Sequence, residues 1–588
     1  MADISFDDIR AALSVDNVRR HVEHITGNIP SRLAGSENAR RMAAYSLNQM
    51  EAAGLDATAH VIPGMVSFPE AGRVDLLSPE TGAIEANTLG HSPNTPEGGL
   101  EGQLVYVGAG GYEHYDGKDV RGRIILCELS YVPGRHEKQR IAAEKGAIGC
   151  VMMNWGPPDN HCLPFGSVKP AWGNPTVETV EKEMPVLPCV GIARTDGLRL
   201  KAMCENGTLR ARMHAKAGSE WRNVEFTTGF LRGRSDDFAV VGGHQDSWPG
   251  PQATDNAAGN AVIYELARVF AGHAEHLRRG LLCGLWIGHE TGTMIGSSWY
   301  VDRNWDRLRD HAVGYVQIDQ PACVGTSIWG SGSAKEMKRF HEEVERRECG
   351  DIPVHWNRVR KTGDSSFFGI GVPMIYAHTH FTKEELERTA VATLGWWHHS
   401  VENTIDKLDW DLMDVHLRVY AGYLWELCTA PIIPYEFVSV ADQVTERLQE
   451  LQQAGRGIGL DATAAQATAL RASAERLDAV VRDWQRHYRA GEVTDEAPAA
   501  LLNECIKGLS RRLLAIASTA RGPYRQDPYS FTPQNSMLPG LYDVPKLDGM
   551  PEGEARWMLE AWLVQQRNRI TDALADSRRL IEATLERL

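Results

Sequence analysis

Residues 238–259 read FAVVGGHQDSWPGPQATDNAAG. The opening run, Phe238 to Val241, is short, apolar and uninterrupted, the pattern of a strand buried on both faces. His244 stands just past it, and Asp255 precedes a segment, Gly259 to Phe270, whose apolar residues recur at helical spacing. The same order repeats downstream. Leu281 to Ile287 reads as a second buried strand, Tyr315 to Ile318 as a third and Pro373 to Tyr376 as a fourth. Strands alternating with helices predict an α/β fold, a mostly parallel sheet flanked by helices on both faces. Ligand sites in such sheets lie beyond the C-terminal ends of the strands.

Around this centre the pattern changes twice. Residues 5–60 read as helical through Val22, Ile25, Met42, Leu47 and Met50, with a turn at Gly27 to Pro30. Residues 85–215 carry short β-rich runs such as Leu104 to Val107 and Ile124 to Leu126, with one helix-to-strand unit from Lys138 to Met153. From about residue 437 the chain is helical again, broken by a Pro- and Tyr-rich stretch at 522–543. A chain of 588 residues is too long for one core, so several domains are expected.

Composition excludes some partners. The formal charge of −15 argues against nucleic acid or an anionic membrane as the main partner. No stretch approaches the ~18 apolar residues of a membrane span. The N-terminus, MADISFDDIRAALS, has neither the basic nor the apolar part of a secretory signal. The ten cysteines are scattered and form no C-x-x-C pair. A cytoplasmic protein is the expectation.

The chemistry sits just after the strands. His244 and Asp246 follow the first, with Asp255 a little later; His289 and Glu290 follow the second, and Asp319 the third. His399 comes later, in Trp396-Trp397-His398-His399-Ser400. Each has an ordinary explanation alone: Asp255-Asn256 also fits a helix N-cap, and Asp319-Gln320-Pro321 a turn. Together they are oxygen and imidazole ligands placed where such a sheet binds ligands. That set suits Zn²⁺, and a bridging carboxylate can hold two ions ~3.5–4 Å apart, able to activate water and polarise a carbonyl. Asp246 is placed to accept the free N–H of His244 and fix its tautomer.

These residues resemble the motifs of the dizinc aminopeptidase family (metallopeptidase clan MH), in its glutamate carboxypeptidase II/transferrin receptor branch. The matching stretches are Gly243-His244-x-Asp246-Ser247-Trp248, Ala253-x-Asp255-Asn256-x-x-Gly259, Arg278-Arg279, Glu290, Gly296-Ser297, Ile318-Asp319 and His399-Ser400-x-x-Asn403-Thr404. The resemblance implies that His244 and Asp319 hold one ion, that Glu290 and His399 hold the other, and that Asp255 bridges them. It implies a catalytic domain at 1–80 and 218–435, an inserted protease-associated domain at 81–217, and a helical dimerisation-like domain at 436–588. The insert's markers are Asp119-Val120-Arg121-Gly122, Ala143-x-x-Gly146-Ala147 and Val186-Leu187-Pro188.

The chain departs from the family at two places. Where the family carries two glutamates, a general base and then a ligand, this chain has His289-Glu290. Counting along the strand from Arg278-Arg279 puts His289 in the base slot and Glu290 in the ligand slot. Counting back from Gly296-Ser297 puts Glu290 in the base slot and Thr291 in the ligand slot. The strand count is preferred, because a buried strand cannot take an insertion without flipping its side chains, whereas a turn can. His289 is assigned as catalytic, with the roles of extra ligand and substrate contact left open. Asp364, Tyr376, His378 and His398 are the candidate substrate contacts; the segment Tyr376 to His380 lacks the arginines expected for acidic substrates.

The sequence therefore predicts a metal-dependent hydrolase of an amide or peptide bond in a small substrate. It would carry one or two Zn²⁺, with Mn²⁺, Co²⁺ or Fe²⁺ as alternatives, and pair as a homodimer through the C-terminal helices. A hydrolase of a non-peptide amide and an inactive receptor-like protein are the competing readings; the retained ligand set speaks against the second.

Overall fold

The computed structural model describes residues 4–454 and 456–588. Three helices open it, Phe6–Ala12, Val15–Asn28 and Glu37–Ala52; Ser14 and Ser36 cap the second and third by accepting N–H bonds from Asn17 and Ala39. The strands follow in chain order: β1 (Asp56–Val66), β2 (Ala71–Ser78), β3 (Gly82–Thr88), β4 (Leu100–Tyr106), β5 (Ile124–Glu128), β6 (Gly149–Met153), β7 (Cys189–Ile192), β8 (Leu209–His214), β9 (Glu220–Leu231), β10 (Phe238–His244), β11 (Gly280–Trp286), β12 (Ala312–Gln317), β13 (Ile328–Ser333), β14 (Val354–Arg358) and β15 (Met374–His380). The helical reading of residues 5–60 thus overruns into β1, which alternates between exposed and buried residues near its end.

Eight strands form one sheet in the order β1-β9-β11-β10-β12-β15-β13-β14. Its centre, β11-β10-β12-β15, is parallel. The flanks are mixed: β9 runs antiparallel to both β1 and β11, and β13 antiparallel to β15. Every residue of β10, β11 and β12 is buried, which is why these strands read as unbroken apolar runs. Helices such as Ala258–Ala271 and Trp410–Thr429 cover them.

The other seven strands close a barrel, β2-β3-β7-β6-β5-β4-β8. It leaves the main sheet after Val66 and returns at Glu220, and those two residues are paired neighbours on β1 and β9. The boundary placed at residue 81 needs correction. β2 lies in the barrel, bonded to β3 and β8, although the sequence grouped it with the catalytic part. Its short alternation, with Val74 and Leu76 inward, belongs to the barrel's own core.

The helices Val438–Gln452, Leu460–Arg489, Ala497–Ser518 and Glu554–Leu585 make up the C-terminal part. Leu477, Leu509 and Leu574 belong to the same apolar core as Val240 of β10. Among the described residues, no helix is long and apolar enough to cross a membrane.

Candidate metal centre

The ends of β10, β11 and β12 bring the chemistry together. His244 is the last residue of β10, and Asp319 follows β12 by two residues. Gly243 lets these strand ends approach, since a Cβ there would lie 2.3 Å from the Ile318 carbonyl oxygen. Asp255 sits in an irregular turn before the helix Ala258–Ala271, where Asn256 Nδ2 donates to Ile318 O at 3.0 Å and Asn256 Oδ1 accepts from Gly259 N. Arg32, fully buried, ties down the intervening loop by donating to the carbonyl oxygens of Ile29, Gln245, Pro251 and Gln252.

β11 pairs with β10 from Phe238↔Gly280 to His244↔Trp286 without a bulge. In the turn beyond, Thr293 and Met294 take φ of 57° and 64°, values that side chains rarely adopt. Glu290 then points into the site, while Thr291 is buried outside the cavity.

His244 Nε2 lies 3.1 Å from Asp255 Oδ1 and 3.5 Å from Asp319 Oδ1. His399 Nε2 lies 3.2 Å from Asp255 Oδ2 and 3.1 Å from Glu290 Oε1. One carboxylate, Asp255, thus faces an imidazole at each end. Trp248 Nε1 donates to the other Glu290 oxygen at 2.7 Å. Asp255 Oδ2, Glu290 Oε1 and Asp319 Oδ1 are buried and have no hydrogen-bond donor. Three buried carboxylate oxygens without a donor call for cations. All five fall in groups of side chains whose donor atoms lie within 4.8 Å of one another, groups that also take in His289 and His398, and their imidazole and carboxylate donors suit divalent ions. Electrostatics agrees. Burial alone would lower His399 and His244, yet beside Glu290 and Asp319 they are raised, His399 to about 9 and His244 well above its usual range. Burial would likewise raise Asp255, but the His244 and His399 rings hold it well below the usual carboxylate range.

Asp246 differs from the expectation. His244 Nδ1 bonds its main-chain oxygen at 2.9 Å, while its carboxylate, 3.9 Å from Nδ1, accepts the backbone N–H groups of His289 and Glu290 at 3.1 Å each. The loop turns back on itself there, so the carbonyl reaches the ring first. Burial lifts the Asp246 carboxyl to about 6.

His289 stacks on His244, ring centres 3.9 Å apart and planes at 23°. Its Nδ1 meets Asp364 Oδ2 at 3.1 Å, and Ser297 Oγ donates to Asp364 Oδ1 at 2.7 Å. Asp364, expected to touch substrate, is instead fully buried and outside the cavity; its loop lines the cavity through Thr362 and Gly363, while the Asp364 carboxylate turns to His289 Nδ1 and Ser297 Oγ. His378 is corrected as well. It is buried between Tyr376 and His380, ring centres at 4.9 and 4.3 Å, too far along β15 to reach the site. Tyr376 and His398 do line the cavity.

That cavity has a volume of about 240 Å³. Two of its walls come from distant parts of the chain: Arg135 and Trp155 from the barrel segment, Tyr529 and Ser530 from the C-terminal part. Arg135 NH1 lies 3.3 Å from Phe165 O and 3.3 Å from His399 Nδ1. Sequence reading missed Arg135, which heads the helix Arg135–Glu144 with no signal of its own. Tyr529 lies in the Pro- and Tyr-rich stretch at 522–543, which in sequence reads only as a break between helices.

Residues 227–424 match Peptidase family M28, and residues 100–200 match the PA domain. Among curated relatives, a carboxypeptidase Q of Xenopus laevis is 25% identical over 420 residues, covering 68% of this chain and 81% of that one. The probable glutamate carboxypeptidase AMP1 of Arabidopsis thaliana is 21% identical over 507 residues, covering 72% and 69%. A solved zinc aminopeptidase from Bacillus subtilis, BSAP, superposes with a TM-score of 0.54 at 18% identity, over 71% of this chain and 96% of that one. At that identity the likeness speaks for the fold.

Proposed function

We propose, on the premise that the chain carries a metallopeptidase domain of family M28, that it cleaves an amide or peptide bond of a small substrate with zinc in the site. One observation carries the reading: three buried, donor-free carboxylate oxygens turned toward the Nε2 atoms of two imidazoles. His244 and Asp319 would hold one ion, Glu290 and His399 the other, and Asp255 both. When bound, the ions would polarise the scissile carbonyl and make water a nucleophile at neutral pH.

The chain's own side chains supply the rest. Asp364 accepts the proton-bearing Nδ1 of His289, which leaves Nε2 as a lone pair facing the cavity and able to take up a proton. We assign His289 this role rather than that of a third ligand, although a donor atom of its ring lies within 4.8 Å of those of His244 and Asp319. Two imidazoles on one ion aim their lone pairs at it from different directions, which splays the rings, whereas stacked rings aim theirs side by side. Arg135, the guanidinium on the cavity wall, would meet a carboxylate of the substrate. A void of about 240 Å³ admits a small substrate and not a folded chain. Trp155, Tyr376 and Tyr529 on its walls also favour a second reading, a non-peptide amide with an aromatic group.

The test is a panel of dipeptides, aminoacyl anilides and N-acyl amides offered to the zinc-loaded protein, before and after chelation. Turnover that disappears with the metal is expected. A fully loaded protein that cleaves none of the panel overturns the proposal.

The proposed assembly is a homodimer through the C-terminal helices. Trp557, Met558 and Trp562 are 59%, 62% and 47% exposed on the helix Glu554–Leu585, and the i, i+4 spacing puts Met558 and Trp562 on one face of it. Light scattering is expected to give twice the chain mass of 65.1 kDa, and a monomer at micromolar concentration would reject the dimer. The proposed setting is the cytoplasm, in keeping with ten cysteines present as free thiols.

A further inference from the structure

Past Glu290 the chain turns through Thr291, Gly292 and Thr293, and the barrel segment holds all three of their carbonyl oxygens. His91 Nε2 bonds Thr291 O at 2.7 Å, the Lys169 ammonium donates to Gly292 O, and the Gly173 N–H donates to Thr293 O. Thr293 Oγ1 returns a bond to Lys169 O at 3.1 Å. His91 follows β3, and Lys169 lies between β6 and β7. Their two loops are joined, for Gly90 and Ser167 form a bridge and the Val168 N–H donates to Gly90 O at 3.0 Å. Lys169 is fully buried, and its other bond goes to Gly173 O at 2.6 Å, so it meets neutral carbonyls and no carboxylate among the described residues. An ammonium taken out of water for neutral acceptors alone is a costly way to join two domains. The turn it grips is the strained one, whose Thr293 and Met294 keep φ of 57° and 64° only while their surroundings hold them. On the sheet side the Asp246 carboxylate anchors the N–H groups of His289 and Glu290, so these two residues stand between two holds.

We infer that Lys169 is a positioning residue, acting through Gly292 on the turn behind Glu290, so that docking of the barrel sets where the Glu290 carboxylate and the His289 ring stand. Lys169 does not line the cavity and touches no substrate. The barrel then contributes to the reaction from behind the site as well as from the cavity wall. Zinc binding and barrel docking favour each other, because two events coupled through one turn are coupled by the same factor in both directions. The inference rests on the hydrolase reading above, with Glu290 as a ligand.

Three variants and one exchange measurement test it. Lys169→Met keeps an unbranched stem and removes the donor. Zinc affinity and kcat are each expected to fall ~10–100-fold, the scale of losing a group that supports a ligand from behind, with KM little changed. Lys169→Arg restores a donor and should recover part of both losses. Asn174→Ala is the control. Its side chain ties the same loop to β1, through Pro63 O at 2.7 Å and the Met65 N–H at 2.9 Å, and its loss should lower Tm without moving zinc affinity or kcat. In the wild type, added zinc should slow hydrogen exchange at the Gly173 amide, which bonds Thr293 O. A Lys169→Met protein that is less stable but keeps its zinc affinity and kcat overturns the inference, and so does an equal loss of both in Asn174→Ala. A Gly173 amide indifferent to zinc overturns it too, even where Lys169→Met fails to fold. A wild type inactive on every amide would sink the hydrolase reading instead, while the zinc affinities and the exchange would still decide the role of Lys169.

Discussion

Asp255→Ala is expected to strip the protein of metal and abolish turnover, the largest effect of any single substitution in the site. Its two oxygens face different imidazoles, His244 at 3.1 Å and His399 at 3.2 Å, so one truncation removes a ligand from both ends. Losing a partner that merely supports a ligand costs ~10–100-fold in metal affinity. Losing the shared ligand should exceed that at both positions. The fold should survive, because Asn256, not Asp255, carries the bonds to Ile318 O and Gly259 N. Elemental analysis after dialysis, with circular dichroism as the control for folding, is the measurement. A folded Asp255→Ala protein that keeps its full zinc content would refute the ligand assignment.

The second large effect separates His289 from Glu290. Glu290→Gln should lose metal, because a neutral amide is a far poorer ligand than the bare carboxylate oxygen now 3.1 Å from His399 Nε2. His289→Ala should keep metal and lose catalysis by the ~10²–10⁴-fold typical of a general acid–base group. Stacked on His244 and bonded to Asp364, the His289 ring can leave without uncovering any of the three donor-free oxygens. Metal content and turnover measured side by side decide the matter. A metal-replete, inactive Glu290→Gln protein, with a mild His289→Ala, would exchange the two roles.

Much of this site could be read in the sequence because parallel strands buried on both faces announce themselves. Phe238 to Val241 and Leu281 to Ile287 are unbroken apolar runs too short for a helix, and the residues just past a strand end have their place fixed by it. The same rigidity is the ground for preferring the strand count at His289-Glu290, since β11 pairs with β10 in unbroken register. Loops carry no such ruler. Asp364 has the right chemistry for a substrate contact, but its carboxylate turns away from the cavity that Thr362 and Gly363 of the same loop line. At Asp246 the sequence showed a carboxylate where the main-chain oxygen does the bonding. Arg135 and Tyr529 were out of reach for a different reason: only long-range packing brings a helix start in one part and an irregular stretch in another to the same cavity. β1, β9 and β13, half-exposed or near the sheet edge, left weaker apolar runs than the central strands and were not singled out.

The junction at Val66 and Glu220 makes residues 67–219 the loop of a single β-hairpin. Loop-closure entropy grows only with the logarithm of loop length, so the main sheet tolerates a very long loop almost as well as a short one. The barrel has apolar cores of its own and closes its own hydrogen-bond ladder, so it asks little of its host beyond two neighbouring attachment points. In evolutionary terms the molecule is a graft. The stock that carries the candidate metal centre can be inherited unchanged while the scion is exchanged, and with it Arg135 and Trp155, its share of the cavity wall.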